Sequence, residues 1–540
     1  MRIEQVAFDP FPSLVSDYFF SFSRLKNFYT YDPHQEASFK ERCNYLEQRT
    51  GAVSRERLSD VIKAYHHPEL LHPAVEKNLE RLRDPKSVVV IGGQQAGLLT
   101  GPLYTIYKAI TLIQLARREE KRLGRPVIPV FWIAGEDHDL DEVNHIYLLR
   151  SDHRIIKHRL SLSVEERVSV GMITPPSDVL QTWLDEFALL LPDSEYKQGI
   201  LTELRAFAED ASITRFFARI MHRLFASYGL LLIDSSFVPL RQLEAPFFQQ
   251  IIEENERLYQ AVSDQIKKIT KQGYQSQVHL GSDDALLFIY IGNKREGLVR
   301  DGDQFVTRDG AYRWSKQELS NLAGTHPERF SNNVITRPLM QEFLFPTLAF
   351  VGGPGEISYW GLLGQAFSQA KLQMPPVVPR MRFTLLDRQS QKAIKKFGLT
   401  FEDVFYHLKE KEAEWLAAHY PLDVDQLMND FRSQLMALYD PLQQQIITAV
   451  PEVKSLGEAN RRKVLRQIDY LEKEVKKALT RRYAHELGRF QHLSKSLLPQ
   501  GKPQERIYNL FFYLNTYGAT WLEQLLTKPL LSSEHKVVYL

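Results

Sequence analysis

Four short stretches of the chain are apolar at successive positions rather than at alternate ones. They are SVVVI (87–91), VIPVFWIA (127–134), GLLLIDSS (229–236) and TLAFVG (347–352). Unbroken apolar runs of this length suit strands covered on both faces, as in a parallel sheet. Between the first two, a glycine-rich turn leads into a helical pattern from Pro102 to Leu123. Pro102 fits an early helical position, and Gly124 with Pro126 ends the helix. Strand, helix and strand with short connections predict a right-handed parallel unit. TLAFVGGPGEISYWGLLGQAF (347–367) repeats the layout of strand, Gly turn and helix, and VVPRMRFTLLD adds one more strand. The first 85 residues read as helices, among them FKERCNYLEQRT, SRERLSDVIKAYHH and HPAVEKNLERLRDP. Two insertions interrupt the α/β pattern: a mixed stretch near 151–192, and paired β-hairpins near 276–315.

The pattern changes near Gly398. Met428, Phe431, Leu435, Leu438 and Leu442 step by three and four, as do Val464, Ile468, Leu471, Val475 and Ala478. Heptads on two helices divided near Pro451 predict an antiparallel helical arm over 398–502. The last segment, 503–540, contains the strongly apolar ERIYNLFFYLNTYGATWLEQLL and is expected to pack back on the core formed by 1–397.

Composition narrows the function classes. At 540 residues the chain calls for two or three domains. A formal net charge of +2 does not support a global basic field for nucleic acid. The second arm helix, ANRRKVLRQIDYLEKEVKKALTRRYAHE, is locally basic. It reads either as a solvated coiled-coil face or as a nucleic-acid arm in which only Tyr470 and Tyr483 could stack. The single cysteine, Cys43, excludes an internal disulfide and a multi-cysteine zinc cluster, and is expected to be an inert thiol. The N-terminus lacks a signal-peptide pattern, and no apolar run approaches the roughly 20 residues of a membrane span. A soluble, cytoplasmic protein is expected.

Three clusters carry candidate chemistry. GGQQAGLLTGP after the first strand is neither GxGxxG nor a P-loop. It is read either as a plain tight turn or as a ligand loop in which Gly92 and Gly93 allow close backbone approach, with Gln94, Gln95 and Thr100 as donors. Lys108 is expected to lie too far along the helix to reach the loop. GEDHDLDEVNH ends the second strand and crowds Glu136, Asp137, His138, Asp139 and Asn144 together. Adjacent like charges need a cation, hydrogen bonds or a raised pKa. An ordinary acidic surface loop, Mg²⁺ binding through Asp137 and Asp139, acid/base work by His138 or a carboxylate, and a zinc site with His138, His145 and a carboxylate all fit the residue types. The third cluster, HPERFSNNVITRPLMQEF with the following GGPGEISYWG, offers Asn332, Arg337, Gly353, Glu356 and Tyr359 as a second wall of one cleft. Arg337 suits a carboxylate or phosphate, or a buried structural role.

Long strings within the chain resemble the bacillithiol biosynthesis cysteine-adding enzymes, the BshC family. These are GGQQAGLLTGPLYTIYK, FWIAGEDHDLDEVN, HPERFSNNVITRPLMQEFLFPTLAFVGGPGEISYWG, MPPVVPR and PQERIYNLFFYLN. The resemblance implies a Rossmann-type α/β core with inserted connecting subdomains, a C-terminal antiparallel coiled-coil arm and a homodimer. It implies a ligase that joins cysteine through its carboxyl to the amine of glucosaminyl-malate. Amide formation from a free carboxylate needs activation, for which ATP is the expected source, with ADP or AMP as product. Mg²⁺ is a candidate companion ion, and Arg337 or Arg380 would hold substrate carboxylates. No HIGH or KMSKS signature of class I synthetases is present, so the activation chemistry is not transferred from them. The rival readings are a metal-dependent hydrolase built on GEDHD, and a coiled-coil scaffold or nucleic-acid-binding dimer.

Overall fold

A computed structural model describes residues 2–49, 51–150, 152–164, 167–420 and 423–540. The chain forms two compact units. One comprises 1–385 with 502–538 and 540, and the other comprises 386–501 with Tyr539.

The first unit is built on five parallel strands: β1 (Val88–Gln94), β2 (Val127–Ile133), β3 (Leu231–Asp234), β4 (Thr347–Gly352) and β5 (Val377–Pro379). The four predicted apolar runs supply β1 to β4. Their side chains are buried on both faces because helices cover both sides. One of those helices, α1 (Tyr104–Leu123), closes on Gly124 in the left-handed conformation. The spatial order is β5-β4-β1-β2-β3. That is the dinucleotide-binding order, and it reverses between β1 and β4, where ligands of such sheets bind at the strands' carboxyl ends.

Gly92 and Gly93 lie inside β1 rather than after it. A Cβ on Gly92 would stand 2.8 Å from the Val351 carbonyl, and one on Gly93 2.4 Å from the Trp132 carbonyl. The pair therefore serves sheet packing. Helix α1 begins at Tyr104 rather than at Pro102, because Leu99, Thr100 and Gly101 take φ values of +48°, +71° and +67°. Asn509 Nδ2 clamps this left-handed turn by donating to the Leu99 and Gly101 carbonyls, each at 2.8 Å. Through this contact the C-terminal segment returns to the core.

The first insertion holds an antiparallel pair, His145–Leu149 with Ile155–Arg159, and the helices Ser177–Leu190 and Lys197–Ala208. Ser151, its predicted start, lies outside the described residues. The second insertion forms the predicted hairpins Asp284–Ile291, Lys294–Asp301, Gln304–Thr307 and Arg313–Ser315. A fifth strand, Phe330–Asn332, joins that sheet beside Asp284–Ile291 with Asn332 opposite Leu287.

The second unit starts at Leu386, earlier than the composition change at Gly398 suggests. Gly398 is the left-handed cap of its first helix, Arg388–Phe397. Two long helices, Val424–Ala449 and Lys454–Arg482, join through a turn at Pro451–Val453. Ion pairs of Asp425 with Lys476, Arg432 with Asp469 and Asp440 with Arg461 run in opposite directions along the two helices, as an antiparallel pair requires. The seam contains Val424, Met428, Leu435, Leu465, Ile468, Val475 and Leu479. Phe431, Leu438, Leu442 and Leu471, expected in the seam, are exposed instead. They sit on the other side of a helix that one neighbour cannot cover.

Candidate active site

A cavity of about 850 Å³ opens at the carboxyl ends of β1, β2 and β4. Its walls are the segments that follow those strands. Gly93, Gln94 and Gln95 come from β1, and Glu136, Asp137 and His138 come from the turn after β2. Gly353 and Glu356 come from β4 and from α2 (Pro354–Trp360). Asn332, Arg337, Tyr359 and Arg380 complete the predicted residues that line it. The cavity is nucleotide-sized, with an apolar side that includes Phe11, Trp132 and Phe288.

Four predicted residues do not line it. Gly92 packs beneath Val351. Thr100 is buried in the left-handed turn, Asn144 is buried near Asp141, and Asp139 is exposed.

Several lining groups are already committed. Glu136, expected to be catalytic, is buried and accepts from Arg241 Nη2 at 2.7 Å and from the Asn332 N–H at 3.2 Å. Arg241 also binds the buried Glu244 at 2.7 Å. Glu136 thus ties the turn after β2 to the helix Val238–Glu253 and to the strand Phe330–Asn332. Arg380, expected to hold a substrate carboxylate, is bound at both Nη atoms by Glu505, at 3.1 and 2.7 Å. Arg337 donates to Gln341 Oε1 at 3.0 Å and to the Tyr359 hydroxyl. Burial pushes that phenol up to about 12, against the pull of Arg337. Glu356 accepts from Lys108 and from the Gly353 N–H at 2.8 Å.

Asp137 differs from these. Its Oδ1 accepts from the His138 N–H at 2.8 Å, and its Oδ2 from Gln95 Nε2 at 2.6 Å. It is the cavity-lining carboxylate without an ion pair among the described residues.

Five lining cations escaped the sequence reading: Lys108, Arg295, Arg308, Arg382 and Arg506. Lys108 does reach the glycine segment: its Nζ donates to the Gly93 carbonyl at the end of β1, at 2.5 Å, and to Glu356. The late helix start places it only about one turn in, and helical side chains lean toward the N-terminus. Burial lowers its amine to about 8, although Glu356 opposes the change. A lysine in an otherwise apolar helical run was the available signal. Arg295, from the NKREG hairpin, had no signal at all, because only tertiary folding brings that hairpin to the cavity.

Among the described residues, no three His, Cys, Asp or Glu side chains converge as metal ligands. Asp137 is engaged by Gln95, Asp139 faces outward, and His145 does not line the cavity. The donor set therefore does not fit a protein-held Mg²⁺ or Zn²⁺.

Strand order and cavity together define a Rossmann-like α/β protein with a cavity at the sheet's switch point and an added helical hairpin. Residues 1–381 match the family described as "Bacillithiol biosynthesis BshC, N-terminal Rossmann-like domain", and residues 383–540 match "Bacillithiol biosynthesis BshC, C-terminal coiled-coil domain". The chain belongs to the BshC family. It is 37% identical to a protein of Geobacillus sp. (strain WCH70) and 36% identical to one of Geobacillus kaustophilus (strain HTA426), each over 100% of both chains. It is 34% identical to one of Bacillus anthracis (strain A0248), again over 100% of both chains. All three carry the name "Putative cysteine ligase BshC".

Proposed function

We propose that this chain is a cytoplasmic ligase that joins the carboxyl of L-cysteine to the amine of glucosaminyl-malate, the last step of bacillithiol biosynthesis. The observation that carries this reading is full-length similarity to proteins named as cysteine ligases, together with a cavity lined by charged groups at the switch point of the sheet. Among the described residues, no helix is long and apolar enough to cross a membrane.

Amide formation from a free carboxylate requires its oxygen to become a leaving group, and ATP supplies that activation when bound. The cavity suits such a ligand in size and in charge. Six arginines and Lys108 line it, and Arg506 forms no ion pair among the described residues. Any Mg²⁺ would arrive on the phosphates rather than in a protein cage. The chain's contribution is positioning and charge stabilisation. Asp137, with no cation of its own, is placed to take the proton of the attacking amine. A homodimer is supported by the apolar stripe of Leu427, Phe431, Leu438, Leu442 and Ile446 on the arm.

Mass spectrometry of the purified protein with cysteine, glucosaminyl-malate and Mg-ATP, with and without nucleotide, tests the proposal. Bacillithiol formed only with ATP supports it, and the AMP or ADP produced identifies the activation. No product in either tube, with active controls, refutes the ATP-dependent ligase.

A further inference from the structure

The sequence offered His138 as a general base. Its surroundings argue for the opposite role. Arg295, on the inserted strand Lys294–Asp301, lies with its guanidinium carbon 3.8 Å from the centre of the Phe288 ring. It donates to Ser331 Oγ at 2.8 Å, to the Asn332 carbonyl at 2.6 Å and to His138 Nδ1 at 3.0 Å. A guanidinium has donors only, so Nδ1 must present its lone pair. The neutral imidazole then carries its proton on Nε2. Nε2 meets no protein partner among the described residues, and the ring lines the cavity. A second proton on Nδ1 would break the Arg295 bond and set two cations in contact. Burial and that same guanidinium hold the imidazole's pKa below its ordinary value.

Asn332 shares Arg295 with it. The residue is 2% exposed and lines the cavity, and its backbone is held by Glu136 and Arg295. Yet neither its side-chain oxygen nor its side-chain nitrogen has a partner. A buried amide left unpaired is costly unless a ligand satisfies it.

We propose that the His138 Nε2–H and the Asn332 side-chain amide, both set by Arg295, form a neutral hydrogen-bonding cradle for the oxygen that gains charge during ligation. This rests on the cysteine-ligase reading. As the amine nitrogen bonds to the activated cysteine carbon, the C=O electron pair moves onto that oxygen and the cradle holds it. The pair then returns, the activating group leaves with its own electron pair, and the amine proton passes to Asp137. His138 is a catalytic donor, and Arg295 is a positioning residue.

Two measurements test this. The first is the solid-state ¹⁵N spectrum of full-length protein labelled in its histidine rings, taken as wild type minus His138→Gln. A bare Nδ1 and a protonated Nε2 are expected. An imidazolium, or the tautomer with its proton on Nδ1, overturns the proposal whether or not the ligase assay succeeds. The second is kinetics. Glutamine keeps an N–H donor at this position and offers no base. His138→Ala is expected to lower kcat by about 10²–10³ with little change in KM, the scale of one lost oxyanion donor. His138→Gln is expected to recover kcat to within about tenfold of wild type. A glutamine variant as slow as the alanine one overturns the donor role. So does a change confined to the KM for nucleotide, which would place the contact on phosphate. Asn332→Ala, expected to lower kcat at unchanged KM, gives an independent reading should His138→Gln fail to fold. Wild type that forms no product refutes the ligase reading, while the spectrum still decides the tautomer.

Discussion

Lys108 and Glu356 form a salt bridge across the point where the strand order reverses. Lys108 rises from the helix after β1, and Glu356 sits in the first turn of the helix after β4. The lysine is 1% exposed, and its remaining contact is the Gly93 carbonyl. One pair thus holds both walls of the cavity in register.

Lys108→Met leaves Glu356 without its cation at the cavity wall. The expected cost is about 3–5 kcal/mol in urea unfolding, because a broken buried pair leaves a charge uncompensated. Combining it with Glu356→Gln should restore much of that stability but not the activity. Stability that falls additively in the double variant would show that the two residues are not coupled.

The two glycine pairs have different reasons to be glycine. Gly93→Ala drives a methyl group against the Trp132 carbonyl and should cost about 1–3 kcal/mol, the scale of an overpacked core. At Gly353 the nearest atoms to a Cβ are 3.6 and 3.8 Å away, so Gly353→Ala should stay within about 0.5 kcal/mol. Thermal unfolding of the two variants compares them directly.

His66 makes the fold sensitive to acid. Its Nδ1 donates to the Leu70 carbonyl, and its Nε2 accepts from the Leu232 N–H of β3, both at 2.9 Å. Burial lowers its pKa from 6.5 to about 4, with His222 and Arg215 acting in the same direction. A lowered pKa means that the unfolded chain binds the proton more readily. The stabilisation is therefore complete above pH 6.5 and is lost as pH falls through about 4. At 1.36 kcal/mol per pH unit this amounts to about 3 kcal/mol. Urea unfolding at pH 7 and pH 5 should differ by about 2 kcal/mol of this, the rest being lost below pH 5, and His66→Gln should flatten the difference.

The arm separates two kinds of apolar position. Leu438 and Leu442 are 76% and 56% exposed, whereas Met428 and Ile468 are buried in the seam. Leu438→Lys with Leu442→Lys should yield a monomer by light scattering while the helical circular dichroism is retained. Met428→Lys should instead lower helicity and thermal stability, since it places a charge within the hairpin's own core.

Much of this was legible along the chain. Runs such as VIPVFWIA announce strands buried on both faces, because they are short and rich in β-branched and aromatic residues. The GEDH turn and the two Gly-rich segments pointed to the cavity, since ligands of parallel sheets gather at the strands' carboxyl ends. What local pattern could not give was the commitment of each charge. Glu136 and Arg380 read as free functional groups, but partners distant in sequence, Arg241 and Glu505, hold them.

The sequence by itself determined the elements, the parallel core and the helical hairpin, because periodicity and glycine placement act over neighbouring residues. Tertiary structure alone decided which side chains remain available for chemistry. Arg295 reaches His138 across 157 positions, and a hydrogen bond at that separation leaves no trace in local pattern. That contact turns an apparent base into a donor, because only the folded chain sets a guanidinium against Nδ1.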